Sequence, residues 1–317
     1  MEIKSFLNKQ DNLIKKQNSL LGHIIKYWMI YSFLIVPIAY FVIFKYIPVL
    51  GNIIAVRKYR GGPNIFGEEF VGLKYFRQFM VDSSFWNAFF NTLRLSIGYI
   101  LVRTPVTLIF ALLLKEIVNL KRKKVVQTIS YLPHFISLVV VCGMLKELVA
   151  LNGPINALLV GIGLDKIEFI SEPNWFSFLY IASGVWQALG WGTILYLAAI
   201  TGINPSLYEA ASVDGANKIS QAWHITIPGI LPTIMTLLIL DIGGIMTSTN
   251  MQKILLLYNP LTQPKADIIG TYVYRMGISG GNFSYATAVG LFEGLIGLIL
   301  VSASNIASKK LTETSLW

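Results

Sequence analysis

Charge, cysteine and histidine are all scarce in this sequence. Only 13% of its 317 residues are charged, about half the share found in soluble domains, and mean hydropathy is +0.61. An ordinary soluble fold is excluded on that ground. Hydrophobic residues reach 54%, and the chain reads as an integral membrane protein. The one cysteine, Cys142, lies inside an apolar run, which excludes an intrachain disulfide and any cysteine-based metal site. His23, His134 and His224 stand far apart and no H-E-x-x-H pattern occurs, so no metal site is expected. The G-x-x-x-x-G-K-[ST] phosphate loop is missing, so ATP is not bound by that route. A membrane transferase would need His, Asp or Glu clustered at a membrane face, and no such cluster is visible. The net charge of +10 would suggest nucleic acid in a soluble protein. In a chain this apolar it reflects cytoplasmic loops, which collect Lys and Arg, and no nucleic-acid partner is expected.

A helix needs about 20 apolar residues to cross a bilayer. Six runs qualify, near residues 27–50, 91–114, 125–148, 176–200, 229–247 and 285–307. The fold class is therefore all-α, with six transmembrane helices. The first run contains Pro37, is too long for the apolar part of a signal peptide and lacks a small-residue cleavage site, so it reads as a retained helix. Residues 1–26, with Lys4, Lys9, Lys15, Lys16 and Lys26, read as a cytoplasmic N-terminal segment. The cluster Lys115, Lys121, Arg122, Lys123 and Lys124 falls in a short connection, where positive residues mark the cytoplasmic side most strongly. With an even number of spans both termini are then cytoplasmic. Arg57, Lys58, Arg60, Lys74 and Arg77 in the first outer loop weaken this bias without reversing it. The outer loops are rich in Gly, Pro, Asn and aromatics, and compact caps are expected there.

The connection between the fourth and fifth runs, residues 204–228, reads NPSLYEAASVDGANKISQAWHITIP. Asn204 is a good N-cap and Pro205 suits the first helical position. Residues 206–213 then have helical propensity, Asp214-Gly215 signals a turn, and residues 216–225 can form a second short helix ahead of Pro228. Gly215 lets the chain reverse without a Cβ clash. Ala210 and Ala211 are small enough for another surface to approach, and Glu209 offers one fixed negative charge to a partner Arg or Lys. An amphipathic connector resting on lipid headgroups is the plainer alternative, but it does not explain the full spacing.

That spacing is Glu209-Ala210-Ala211, three residues, Gly215, nine residues, then Ile225, Ile227 and Pro228. It resembles the EAA loop of the membrane subunits of bacterial ABC importers, E-A-A, three residues, G, nine residues, I-x-L-P, with Ile227 in place of the Leu. Phe70 to Phe76 (FVGLKYF), Tyr131 to Ser137 (YLPHFIS), Gly184 to Gly192 (GVWQALGWG), Thr271 to Arg275 (TYVYR) and Tyr285 to Phe292 (YATAVGLF) resemble the sugar-type permeases. The nearest subgroup is the lipoprotein-B-like permeases for polysaccharide fragments and oligosaccharides. The resemblance implies a type I importer permease fold, a five-helix core plus one extra N-terminal helix, with residues 27–317 as a single permease domain. It implies that Glu209, Ala210, Ala211, Asp214, Gly215, Ile225 and Pro228 meet an ATPase. The implied partners are a second homologous permease, two ATP-binding subunits, an extracytoplasmic solute-binding protein and a carbohydrate. ATP and Mg would then be bound by the ATPase, with no cofactor and no covalent chemistry on this chain, in a bacterial cytoplasmic membrane.

Polar residues at mid-depth of the spans are the other candidates, because charge in a bilayer is expensive and usually functional. Arg103, Gln187, Asp241 and Glu293 fall near mid-depth, with Trp186 and Trp191 close by and Arg94 nearer the outer mouth. Sugars take hydrogen bonds from planar polar groups and stack on apolar rings. Arg103, Gln187, Trp191, Asp241 and Glu293 are therefore read as a substrate path; Arg94 and Arg103 admit an acidic sugar, and Asp241 and Glu293 argue against one. Two other uses stay open. Arg103 can pair with Asp241 or Glu293 simply to hold helices together, or the three can form the ion relay of a secondary transporter. A non-sugar solute is the alternative cargo.

Overall fold

The computed structural model describes residues 23, 24, 26–59, 61–248, 250–312 and 315. Most of the expected N-terminal segment lies outside them. Among the described residues, six helical runs are long and apolar enough to cross a membrane: Trp28–Val56, Ser83–Glu116, Leu138–Gly161, Pro173–Thr201, Lys218–Gly243 and Phe283–Lys310. The first begins with α1 (Trp28–Phe41), which contains Pro37 and has no buried residue. It continues through a π-helical turn (Val42–Tyr46) and a short helix to a 3-10 turn (Gly51–Val56), where Ala55 is buried. Strands β1 (Arg57–Lys58) and β2 (Glu69–Phe70) pair antiparallel, with Arg57 opposite Phe70. Helix α2 (Lys74–Met80) then leads into α3 (Ser83–Glu116).

The 34-residue α3 is about 51 Å long at 1.5 Å per residue, so it overshoots a hydrocarbon core of about 30 Å. Its start is capped by Asp82, whose carboxylate accepts from Ser84 N at 2.8 Å. At the outer end Phe85 and Ala88 pack with Phe79, Tyr272 and Tyr285. At the inner end Ala111 packs with Tyr196, Ile200, Ile230 and Ile234. The fourth span, α7 (Pro173–Thr201), runs alongside α3.

The third span departs from expectation. Instead of one helix over 125–148, the chain forms α4 (Leu120–Tyr131), a 3-10 turn (Leu132–Phe135), extended backbone at Ile136 and then α5 (Leu138–Val149). Pro133 weakens the ladder here because it has no N–H to donate, while Leu132 before it stays helical and the chain leaves helical geometry only at Ile136. Ser137 restarts the helix by capping Val140 N. Helix α6 (Pro154–Gly161) does not extend α5 as one rod. The chain turns sharply at residues 150–153, and the fully buried Asn156 fixes the turn by donating to Ala150 O and Ile167 O at 2.9 Å each. With 12 residues, α5 is about 18 Å long, too short to cross alone. The apolar run of crossing length in this region is Leu138–Gly161, and α4 packs against α7 ahead of it. Gly190 in the inner half of α7 backs directly onto the Ser130 carbonyl, and Gln187 Nε2 donates to Ile136 O at 3.2 Å.

The loop helices follow as α8 (Pro205–Val213) and α9 (Lys218–Gln221). The second helix differs from expectation in two ways. It begins at Lys218, capped by Asn217, and it runs without interruption through a π-helical turn (Ala222–Thr226) into α10 (Ile227–Gly243). Pro228 therefore sits in the first turn of α10. Its missing N–H is absorbed by the wider turn before it. The fifth span ends at Gly243, followed by α11 (Ile245–Ser248), and does not reach 247 as one helix.

The outer segment folds into α12 (Met251–Leu257), α13 (Gln263–Ala266) and α14 (Ile269–Val273) before α15 (Phe283–Thr312). It is strapped to the outer turns of α3, as a compact cap should be. Asn87 and Asn91 donate to Pro264 O at 3.0 and 2.9 Å, Asn91 also donates to Asp267 O, and Thr92 Oγ1 accepts from Ile269 N. Arg275 pairs with the buried Asp267 at 2.6 Å. Tyr272 donates to the Asp82 carboxylate, and burial together with that bond raises the phenol's pKa.

Candidate functional site

Two regions hold the candidate residues. The first is the loop that joins the C-terminal end of α7 to the N-terminal end of α10. Asn204 caps α8 by accepting from Ser206 N at 3.0 Å. Gly215 reverses the chain at φ +78, a conformation that favours glycine, with open space where a Cβ would stand. The two short helices are tied together by Gln221, which donates to Ser212 Oγ at 2.9 Å and to Ala216 O at 3.1 Å.

The inward face of α8 is bolted to the spans. Tyr208 Oη shares a hydrogen bond with Thr226 Oγ1 at 3.0 Å. Lys115 donates to the same hydroxyl at 3.4 Å, and its Nζ stands 3.5 Å from the centre of the Tyr208 ring. Glu116 pairs with Lys218 at 3.2 Å. A helix places residues three and four apart on one face; the half-buried Tyr208 and Ala211 mark the inward face, which turns Glu209, Ala210 and Val213 outward. All three are exposed, Val213 to 88%. Asp214, Gly215 and Pro228 are exposed too, while Ala211 and Ile225 are half-buried. Lys115, Tyr208, Gln221 and Thr226 were not foreseen as part of this region. Tyr208, three residues before the half-buried Ala211 on one helical face, is the one of these that helix periodicity could have found.

The second region is at mid-span. Arg103 on α3 forms an ion pair with Asp241 on α10, and the Tyr99 ring lies 5.4 Å from its guanidinium carbon. Glu293 sits half-buried on α15 and makes no ion pair with either, so the three-residue relay is not assembled. Gln187 is spent on the Ile136 carbonyl, and Arg94 donates to Lys265 O at 2.8 Å in the outer cap. Trp186 is 46% exposed.

Beside the pair lies a cavity of ≈ 440 Å³ between α3, α7 and the break in the third span. Of the five path candidates, Arg103 and Trp191 line it. His134 stacks on Trp191 with ring centres 4.5 Å apart and planes 2° from parallel. Thr104 and Thr107 also face the cavity, and neither buried hydroxyl has a hydrogen-bond partner. These three residues were not foreseen. Pro133 in the middle of an apolar run is the sequence signal that marks where a helix must open.

A family described as binding-protein-dependent transport system inner membrane components matches residues 103–313. The chain belongs to that family. It is 41% identical over 304 residues to the polygalacturonan/rhamnogalacturonan transport system permease protein YteP of Bacillus subtilis, covering 96% of this chain and 94% of that one. It is 39% identical to protein LplB of the same organism, covering 92% and 91%. It also superposes with TM-score 0.86 and 38% identity on a chain of a bacterial alginate ABC transporter, solved in complex with an alginate pentasaccharide-bound periplasmic protein. That match covers 94% of this chain and 99% of the other. The protein is thus a multi-pass membrane permease with the type I importer fold. Its first span is unburied over Trp28–Leu50 and joins the packed body through the turn Gly51–Val56, where Ala55 enters the core.

Proposed function

We propose that this chain is one half of the pore of an ATP-driven importer for oligosaccharides cut from polysaccharides. The permease relatives with printed cargoes include a polygalacturonan/rhamnogalacturonan system and an alginate transporter, which favours sugar over other solutes. The observation that carries the mechanism is the construction of the loop. Its outward face offers Glu209, Ala210 and Val213, while its inward face is fixed to α3 through Tyr208, Thr226 and Lys115. A push on that face is delivered to two spans and is not absorbed by a floppy connector. The partners in this reading are a second permease, two ATP-binding subunits that carry ATP and Mg, and an extracytoplasmic binding protein that delivers the sugar. The loop and both termini face the cytoplasm, in keeping with the positive cluster Lys121–Lys124.

Glu209→Lys tests the reading. Glu209 is exposed, so reversing its charge should leave the protein inserted and assembled. Stimulation of ATP hydrolysis by sugar-loaded binding protein in proteoliposomes should be lost. Full stimulation in this variant would remove the loop from the coupling path.

A further inference from the structure

We propose that the groove between the end of α3 and the α9–α10 junction seats one anionic phospholipid, with its phosphate at Lys115 and Lys218 and an acyl chain along the apolar walls. The proposal needs only that the chain spans a bilayer. It is independent of the cargo and of the importer reading.

Shape is the first support. The groove encloses ≈ 250 Å³. Ile109, Leu112 and Leu113 form one wall, and Ile219, Ala222 and Trp223 form the other. Ile219 and Trp223 are 71% and 64% exposed, and Ile109 and Leu113 are exposed as well. These apolar side chains flank a concave surface that no part of this chain fills.

Polarity along the groove is the second. Lys115 and Glu116 stand in the last turn of α3. With Arg103 at mid-depth, Ile109 lies about 9 Å from the centre of a hydrocarbon core whose half-thickness is about 15 Å, and Lys115 lies about 18 Å from it. The groove therefore runs from a charged mouth at headgroup level to apolar walls inside the bilayer. A soluble partner such as an ATPase subunit could meet the mouth but could not fill the part that lies along the span. A phospholipid has the same polarity over the same distance. Trp223 agrees with this placement, because tryptophan collects at membrane–water boundaries.

Charge selects the headgroup. Lys115 is half-buried, with its Nζ over the Tyr208 ring and within reach of Thr226 Oγ1. Among the described residues no carboxylate pairs with it. Lys218 pairs with Glu116, yet its side chain stays 70% exposed. Two ammonium groups against one carboxylate leave the mouth with a net positive charge. After residues 117–119, α4 opens with Lys121, Arg122, Lys123 and Lys124 and has no acid in its first turn. None of these four is paired with a carboxylate among the described residues. Cations at a helix N-terminus oppose the helix dipole, so this cluster does not serve the stability of α4. Basic pockets between spans suit anionic headgroups, and an ammonium–phosphate hydrogen bond is charge-assisted and strong. A zwitterionic lipid would fill the walls but leave the net charge unmatched.

The test follows Trp223 itself. The full-length permease, with the subunits that co-purify with it, is reconstituted into phosphatidylcholine vesicles. These contain graded amounts of dibrominated phosphatidylglycerol or dibrominated phosphatidylcholine, whose bromines quench tryptophan emission on contact. The chain has seven tryptophans, so the signal of a Trp223→Phe variant is subtracted to leave Trp223 alone. Half-quenching should need roughly 5-fold less brominated phosphatidylglycerol than brominated phosphatidylcholine, the effect of one unmatched cation at an anionic headgroup. Lys218→Gln should cut this preference below about 2-fold, while Lys121→Gln, outside the groove, should leave it at roughly 5-fold. Glu116→Gln should raise it by about another 5-fold. Equal quenching by the two lipids overturns the anionic assignment. Equal losses in Lys218→Gln and Lys121→Gln overturn the seat and leave only a diffuse basic surface. A Trp223 that neither lipid quenches overturns the proposal and gives the groove to a protein partner. Lys218, Glu116 and Lys121 are all exposed, and the gain expected in Glu116→Gln cannot be produced by a damaged fold.

Discussion

Gly190→Ala is the sharpest test of how the third span is packed. Gly190 is buried in α7, and a Cβ added there would stand 2.2 Å from Ser130 O, 2.4 Å from Ser130 C and 2.7 Å from a Tyr131 ring carbon. The first two are backbone atoms, which cannot swing away as a side-chain tip can. Reaching an ordinary contact of about 3.4 Å requires the end of α4 to retreat by roughly 1 Å, pulling it off α7 just ahead of the break. Overpacking of this kind costs typically 1–3 kcal/mol, and a rigid backbone obstacle belongs at the top of that range. At roughly 2–4 °C per kcal/mol for larger domains, the detergent-purified protein should lose roughly 6–12 °C in melting temperature. Two internal controls calibrate the result. Gly290→Ala meets nothing within 4 Å, and Gly98→Ala meets only the Cδ1 tip of Ile181 at 2.9 Å. Both should stay within about 2 °C of the parent, because a flexible tip or open space yields at little cost. A melting temperature for Gly190→Ala indistinguishable from these controls would refute the direct seating of α4 on α7.

Other outcomes follow from the same geometry. Arg103→Leu alone leaves the Asp241 carboxylate without its partner and should destabilise by roughly 1–3 kcal/mol, discounted for partial exposure of both side chains. The double variant Arg103→Leu, Asp241→Leu should recover most of that loss, as read from melting temperatures. If the double is as unstable as the single, the pair does not exist as described. Asn156→Leu strips the turn after α5 of three hydrogen bonds, including Ile167 N to Asn156 Oδ1 at 2.8 Å. Roughly 2–4 kcal/mol should be lost, visible as faster proteolysis of the outer loop at 162–172. Lys253 is buried and donates to Tyr180 O at 2.8 Å, and desolvation pushes its pKa from 10.5 down to about 8. The unfolded chain then binds more protons than the folded one between these values, so this lysine's contribution to stability is flat at its lowest below pH 8, rises from 8 toward 10.5 and levels off above. Lys253→Met should therefore flatten the rise in melting temperature that the parent shows between pH 7.5 and 9.5. An identical slope in both proteins would show that Lys253 does not titrate in that window.

Much of this fold is legible in the sequence because apolar length is a strong signal. Six runs stand out, and five of them lie within or largely within the helices that form. The loop is legible for a different reason. Asn204, Pro205 and Gly215 each carry a specific backbone instruction, and all three are used as their chemistry dictates. What stays hidden are contacts between distant segments. Hydropathy runs straight through Leu132–Ser137, so Pro133 alone hints at the break, and proline kinks many helices without unwinding them. That Asp241 and not Glu293 answers Arg103 depends on which faces of three helices meet. Thr104, Thr107 and His134 look unremarkable one by one and gain meaning only when α3, α7 and the unwound turn are brought together. The strap from Asn87, Asn91 and Thr92 to residues 264–269 is likewise a product of tertiary placement.

The uninterrupted run from Lys218 to Gly243 also has a mechanical meaning. Its 26 residues make a lever about 39 Å long, with α8 tied near one end through Tyr208 and Thr226 and Asp241 close to the other. Tilting such a lever by about 5° at the loop would carry its far end sideways by roughly 3 Å, enough to part an ion pair or close a sugar-sized opening. The wide turn at Ala222–Thr226 sits close to the driven end, where a slight change of helical pitch would rotate everything beyond it. In the proposed importer, the distance between the ATPase contact and the mid-span ion pair would thus be bridged by leverage along one helix.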